Sequence, residues 1–259
     1  MKIIFMGNSE IACPILYTLE KSKHKILSVV SNSPKALGRG LSQRLTPVGK
    51  LANDLDLKFL SADSLRNSEL IDTIKILQAD IFVVVAFRIL PSSFLSLSKM
   101  GAMNLHASLL PKYRGAAPIQ HALLNGDTQT GISTFLIDKD LDTGPILLQK
   151  EVPILPQDNF NTLSGKISNE GSSLILESLG LLEKNNHKLT PQLDKDVSYA
   201  PKILKKEMLI DWNQSASQIN NKVRALSYTG AFTFINGKRM KLYKTKVYEN
   251  SKPSKPGKI

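Results

Sequence analysis

Apolar positions along the first 150 residues fall into two alternating patterns. Continuous apolar runs at Lys2–Met6, Ile26–Val30 and Ile81–Ala86 have the length and composition of strands, the first stopping at Gly7. A run such as IFVVVA suits a parallel strand buried on both faces. Gly101–His106, Gly131–Ile137 and Pro145–Val152 are further strand candidates. Between them, Ile11–Leu19 places apolar residues at 11, 15, 16 and 19, a helical period. Pro47–Leu55, Glu69–Leu77 and Pro118–Leu124 also read as helices. This alternation predicts an α/β domain built on a Rossmann-like, open and mostly parallel sheet.

The pattern changes further on. Residues 158–179 predict one closing helix, with Leu163, Ile167 and Leu174 on one face. Gly165, Gly171 and Gly180 weaken its ends. Asn185–Pro201 is polar and charged, carries two prolines, and reads as a linker. Asp211–Ala225 then suggests a helix, and Ala231–Val247 a hairpin turning at Asn236-Gly237, a strong hairpin signal. Asn250–Lys258 is polar and contains prolines. The predicted organisation is a larger domain over 1–184, a linker over 185–203 and a smaller domain over 204–259.

Composition narrows the function classes. A chain of 259 residues is long enough for two cores. The single cysteine, Cys13, permits no intrachain disulfide and fits a reducing cytoplasm. No apolar run approaches the roughly 20 residues that span a bilayer. The start, MKIIFMGNSE, has too short an apolar stretch for a signal peptide. No membrane role is expected.

Charge is uneven. Residues 1–180 hold 18 basic and 16 acidic residues, whereas residues 181–259 hold 16 basic and 6 acidic. One reading of the basic end is a solubilising surface. The other is a module that binds a polyanion, with nucleic acid the partner of choice. Composition does not separate RNA from DNA or anionic lipid.

Three motifs bear on chemistry. The first strand ends in FMGNSE, where a dinucleotide site needs three glycines spaced G-x-G-x-x-G. Only Gly7 is present, so no NAD site is expected and Gly7 reads as a turn glycine. In MNLHASLLPKYRGAAPIQ, Met103–Gln120, Asn104 and His106 lie two apart on a strand and share one side, leaving Met103 and Leu105 to pack on the other. Carboxyl ends of strands in open parallel sheets are where ligands sit, which favours a functional pair over a structural histidine. DKDLDTG, Asp138–Gly144, places three carboxylates in a turn. It reads either as a solvated loop or as a cation loop; the features of an EF-hand are absent, and no His/Cys cluster exists for zinc, so no metal is expected.

HASLLPKYRGAAPIQ and LDTG together resemble the folate-dependent formyltransferases. Within that family the similarity is greatest to the branch that acts on methionyl-tRNA. Met6–Glu10, Gly38–Gly40, Val83–Phe87, Ile89–Pro91, Tyr199–Ile203 and Ile210–Trp212 extend it over nearly the whole chain. Branches acting on purine ribonucleotides or sugars share only N-x-H and SLLP. The chain departs from the family pattern at Asn8-Ser9, at a shortened loop around Phe87-Arg88, and at Asp140.

The resemblance implies that the amine of initiator methionyl-tRNA attacks the formyl carbon of 10-formyltetrahydrofolate, the co-substrate, through a tetrahedral intermediate, without metal or NAD. It implies catalytic roles for three residues: Asn104 and His106 as donors to the oxyanion, His106 also moving protons, and Asp142 holding the imidazole. Cys13, in the first helix, is a poor candidate for a covalent nucleophile. Ser108, Leu109, Leu110 and Pro111, with Phe87 and Ile89, are implied to line the folate pocket. Arg39, Arg44 and Lys50, in the loop after the second strand, are implied to contact tRNA. Lys205 and Lys206 in the second domain join them. That domain is implied to be an OB-like β-barrel, and the chain, stopping at PGKI where another strand is due, reads as truncated. A cytoplasmic monomer binding folate and tRNA is the expectation. Two other readings remain open: a catalytically weak RNA-binding relative, and a formyltransferase for a sugar or small amine, against which the basic end argues.

Overall fold

The computed structural model describes residues 1–37 and 42–248. In chain order the first half runs β1 (Lys2–Gly7), α1 (Cys13–Glu20), β2 (Lys25–Asn32), β3 (Lys35–Leu37), β4 (Ser42–Arg44), α2 (Pro47–Asp54), β5 (Phe59–Ala62), α3 (Ser68–Leu77), β6 (Ile81–Val85), α4 (Ser92–Leu95) and β7 (Ala102–His106). Then follow α5 (Pro118–Asn125), β8 (Gln129–Leu136), β9 (Ile146–Pro153), α6 (Phe160–Glu183), α7 (Ala216–Ala225), β10 (Ala231–Ile235) and β11 (Lys238–Leu242).

Local chemistry sets many of these boundaries. Thr46 caps α2 by accepting from the Gly49 amide, with Pro47 at the first helical position. Asn67 caps α3 through the Leu70 amide. Asn159 and Thr162 form a reciprocal capping box on α6. The 24 residues of α6 extend past the predicted end at 179.

Seven strands form one sheet in the order β5-β2-β1-β6-β7-β8-β9. The pairs from β5 through to β7 are parallel, while β7–β8 and β8–β9 are antiparallel. The expected mostly parallel sheet is therefore present, with an antiparallel extension on one side. Alternate residues of β6 enter two different cores. Ile81, Val83 and Val85 pack with residues of α1, α5 and α6, whereas Phe82 and Val84 pack with residues of α3 and α4. This double burial is why the strand is apolar throughout.

Three local readings need correction. β5 was not anticipated, because it is a short edge strand with one buried residue. The antiparallel pair β3–β4 lies in the segment read only as a loop. The helix expected from Asp211 begins at Ala216, because the Asp211 carboxylate folds the preceding residues into a turn by accepting from the Asn213 amide.

Beyond α6, the segment 185–201 lies along the sheet domain. Thr190 bridges Ile146, and Tyr199 bridges Arg114. The smaller region has its own core of Ile210, Val223, Leu226 and Ala231, with Trp212 packed against it. Trp212 Nε1 donates to Thr233 Oγ1 at 2.9 Å. The hairpin β10–β11 turns at Asn236 and Gly237, both at positive φ, as a type I′ turn requires. Its second strand ends at Leu242 rather than Val247. Among the described residues this region contains one α-helix, a short helical turn at Lys205–Met208 and one two-stranded sheet; a closed barrel is not formed by them. Arg224 ties it to the sheet domain by donating to the Asp158 carbonyl at 3.3 Å.

Candidate active site

The chain winds outward from β1 in both directions, to β2 on one side and β6 on the other. A crevice forms at the carboxyl ends of strands where such an order reverses. His106 is the last residue of β7, next to β6, and Asn104 lies two residues before it. Met103 and Leu105 pack into the core on the opposite face, as the period-2 pattern requires. Asn104 is half-buried, and its side-chain amide makes no hydrogen bond among the described residues.

Two loops converge on His106. The first follows β7. Its Tyr113 carbonyl lies 2.8 Å from His106 Nε2. A carbonyl can only accept, so Nε2 carries the proton in this contact. The other ring nitrogen, Nδ1, faces Asp142 Oδ2 at 3.6 Å. Both side chains are nearly buried, 7% and 11% exposed. That separation is too long for a direct hydrogen bond. It is short enough for a third polar atom, at about 2.6–3.2 Å from each, to reach both.

Asp142 sits in the second loop, between β8 and β9, at φ 54°. Its Oδ2 accepts from the Gly115 amide at 2.8 Å. A glycine in each loop lets it sit tightly against the backbone beside it. Gly115 has φ 123°, and a Cβ there would stand 2.7 Å from the Ala200 carbonyl oxygen. A Cβ on Gly144 would stand 1.7 Å from the Leu136 carbonyl oxygen, so no side chain fits.

Tyr113 is fixed at several points. Its hydroxyl donates to Asp127 at 2.6 Å and accepts from Asn125 at 2.8 Å, while its amide donates to Ser198 Oγ at 2.9 Å. Burial, reinforced by the Asp127 carboxylate, pushes its phenol up to about 12.

The segment Ser108–Pro111 is held from beneath. Ser133 donates to the Ser108 carbonyl at 2.7 Å and accepts from the Leu110 amide at 2.9 Å. Gln149 Nε2 donates to the Leu110 carbonyl at 2.9 Å. Ser108 Oγ donates to the Lys112 carbonyl at 2.6 Å. Leu110 is buried. On the far side of β7, Arg88 anchors the loop after β6 by donating to the Asp63 carbonyl at 2.8 Å, and also to Asn32 and the Ala62 carbonyl. Burial lowers the pKa of this guanidinium. Phe87 is half-buried, and Ile89 is 72% exposed.

The structure thus brings Asn104, His106, Asp142 and the Ser108–Pro111 loop together. The basic residues lie elsewhere. Arg44 ends β4 and Lys50 lies in α2, both exposed. Lys205 and Lys206 are exposed in a short helical turn of the smaller region. Arg39 lies outside the described residues. Three supporting residues carried no signal of their own in the sequence: Tyr113, Ser133 and Gln149. The first falls inside the long motif, but the others are isolated polar residues.

Residues 1–179 match the family described as formyl transferase. The chain belongs to the formyl transferase family. Residues 202–259 of this formyl transferase match the family's C-terminal domain. It is 39% identical over 261 residues to the methionyl-tRNA formyltransferase of Syntrophus aciditrophicus (strain SB), covering 100% of this chain and 84% of that protein. It is 40% identical over 264 residues to the one from Caldanaerobacter subterraneus subsp. tengcongensis, covering 100% and 85%. Among solved structures it resembles WlaRD, a sugar 3N-formyl transferase crystallised with dTDP and 5-N-formyl-THF. The TM-score is 0.69 at 24% identity, covering 94% of this chain and 85% of that one. It also resembles HypX from Aquifex aeolicus in complex with tetrahydrofolic acid, with TM-score 0.73 at 16% identity, covering 100% and 40%. At these identities the two structures support the fold alone. No helix among the described residues is long and apolar enough to cross a membrane.

Proposed function

We propose that this formyl transferase moves the formyl group of 10-formyltetrahydrofolate onto the amino group of initiator methionyl-tRNA, in the cytoplasm, for translation initiation. The observation that carries the reading is the 39–40% identity, across both domains, to proteins named methionyl-tRNA formyltransferase. A sugar acceptor is less well supported, since the sugar transferase WlaRD is 24% identical.

The residues present suit a folate. Ile89 and Leu141, in loops following β6 and β8, hold exposed apolar side chains. The Asn104 amide is uncommitted among the described residues, and Ser133 and Gln149 hold the Ser108–Pro111 loop in one shape. The bound co-substrate supplies an activated formyl carbon. A bond forms between that carbon and the methionine nitrogen, the bond to the folate nitrogen breaks, and one proton passes from the amine to the departing nitrogen.

This chain's residues have three tasks. The Asn104 amide N–H donates to the formyl oxygen as negative charge develops there. His106 Nδ1 and Asp142 Oδ2 together receive and return the proton, because a nitrogen between them can reach both atoms. The carbonyl of Tyr113 and the amide of Gly115 fix the imidazole and the carboxylate, so little reorganisation accompanies the transfer. Arg44, Lys50, Lys205 and Lys206, with Arg39, contact tRNA phosphates. With the domain division 1–184, 185–203 and 204–259, the chemistry belongs to the first unit, and RNA contact is shared between the loop and helix around Arg44 and Lys50 in that unit and the basic residues of the last. The test is a formyl-transfer assay comparing charged initiator tRNA with amino sugars and small amines. Formylation of small amines at rates matching methionyl-tRNA would overturn the acceptor assignment.

A further inference from the structure

We infer that Gln192 is a positioning residue that locks the His106–Asp142 pair. The inference rests on the function proposed above, but its geometry stands by itself. Gln192 lies in the polar segment that follows α6, more than 45 positions beyond the second site loop in sequence. Its amide is fully used. Oε1 accepts from Arg114 Nε at 3.0 Å and from Arg114 Nη2 at 2.8 Å. Nε2 donates to the carbonyls of Asp142 at 2.9 Å and Gly144 at 2.8 Å. One side chain therefore grips both loops that build the site.

Each grip falls where the site needs it. Arg114 is 5% exposed and stands between Tyr113, whose carbonyl holds His106, and Gly115, whose amide holds Asp142. Among the described residues its guanidinium has no carboxylate partner, and its side-chain acceptor is the Gln192 oxygen. A buried guanidinium left without acceptors is costly, which makes this contact hard to surrender. On the other side, Asp142 has a left-handed backbone, which a residue with a Cβ adopts only when its surroundings enforce it. Gln192 supplies that enforcement through the Asp142 carbonyl. The Ser108–Pro111 loop is held independently by Ser133 and Gln149. Loss of Gln192 should therefore disturb the proton-handling pair and spare the folate loop.

The division predicts a split between kinetic constants. Gln192→Glu keeps an acceptor for Arg114, now as an ion pair, and removes both donors to the Asp142 loop. Gln192→Met removes both grips. We expect kcat to fall about tenfold to a hundredfold in each, the scale for a small misplacement of reacting groups. The KM for 10-formyltetrahydrofolate should stay unchanged. Should Gln192→Met fail to fold, Gln192→Glu carries the test, since its Arg114 contact survives. A second readout needs no substrate: the His106 imidazole Nε2–H resonance, in protein labelled at histidine, should shift in Gln192→Glu well below the melting temperature. Wild-type turnover on methionyl-tRNA tests the proposed function separately. A shifted resonance with a lowered kcat and constant folate KM is the expected result. An unmoved resonance, or a kcat equal to wild type, would overturn the role of Gln192.

Discussion

Gly144→Ala tests whether the close approach of the second loop to β8 sets the reaction geometry. The added Cβ would stand 1.7 Å from the Leu136 carbonyl oxygen, whereas real Cβ atoms essentially never come within 3.0 Å. The loop must therefore retreat by at least about 1.3 Å, the difference between those two distances. The Leu136 carbonyl is part of the sheet and yields little, so the loop moves. Asp142 is two residues away and moves with it. A shift of this size is a large fraction of the 3.6 Å between His106 Nδ1 and Asp142 Oδ2. Misplacement by about 1 Å costs on the order of 10²-fold in rate. The same crowding should cost about 1–3 kcal/mol of stability, lowering Tm by roughly 2–12 °C. Steady-state formylation of methionyl-tRNA and a thermal melt measure both quantities on one preparation. A variant with wild-type kcat and wild-type Tm would refute the reasoning, because it would show that this loop accommodates a methyl group without disturbing Asp142.

Other expectations can be checked alongside. His106→Ala and Asp142→Asn should each reduce single-turnover formylation by at least about 10²-fold, with thermal stability little changed; Asn104→Ala should cost about 10²–10³-fold. Burial, with the Asp127 carboxylate, pushes the Tyr113 phenol up from its ordinary 10.0 to about 12, so its stabilising effect is full below pH 10 and is lost as pH rises towards 12. Melting curves across that range should therefore fall less steeply for Tyr113→Phe than for wild type. Affinity for tRNA should weaken steeply with salt, and Lys205→Ala should flatten the slope of log affinity against log salt by roughly 0.7–0.9 if Lys205 contacts a phosphate.

The sequence made the sheet domain legible where burial is two-sided or strictly periodic. β6 announces itself because both of its faces enter cores. The Asn104–His106 spacing places two polar side chains on one side of a strand end, and the structure puts them there. Edge elements were harder to see. β5 contributes one buried residue, Ala62, so its apolar signal is faint. The segment 185–201 is polar because, apart from Leu189 and Ala200, most of its side chains face solvent or polar partners, yet its backbone is bound in place at Thr190, Ser198 and Ala200. Hydrogen bonds made by backbone leave no trace in composition. Gln192 is hidden for a related reason, since an isolated glutamine looks the same whether its amide meets water or makes four hydrogen bonds to three protein residues.

The antiparallel return of β8 and β9 has a consequence for how the site is assembled during synthesis. It delivers Asp142 to His106 within one compact stretch of chain, so that half of the site can form soon after both strands emerge. The residue that ties down the Asp142 carbonyl arrives 50 positions later. At a synthesis rate of about 5–20 residues per second, that interval lasts roughly 2.5–10 seconds. A nascent chain therefore passes through a stage in which the sheet is complete and the carbonyls of Asp142 and Gly144 still lack their Gln192 donor. Ribosome-bound chains halted before and after residue 192 should differ in protease sensitivity at the Asp138–Gly144 loop, although they share every strand of the sheet.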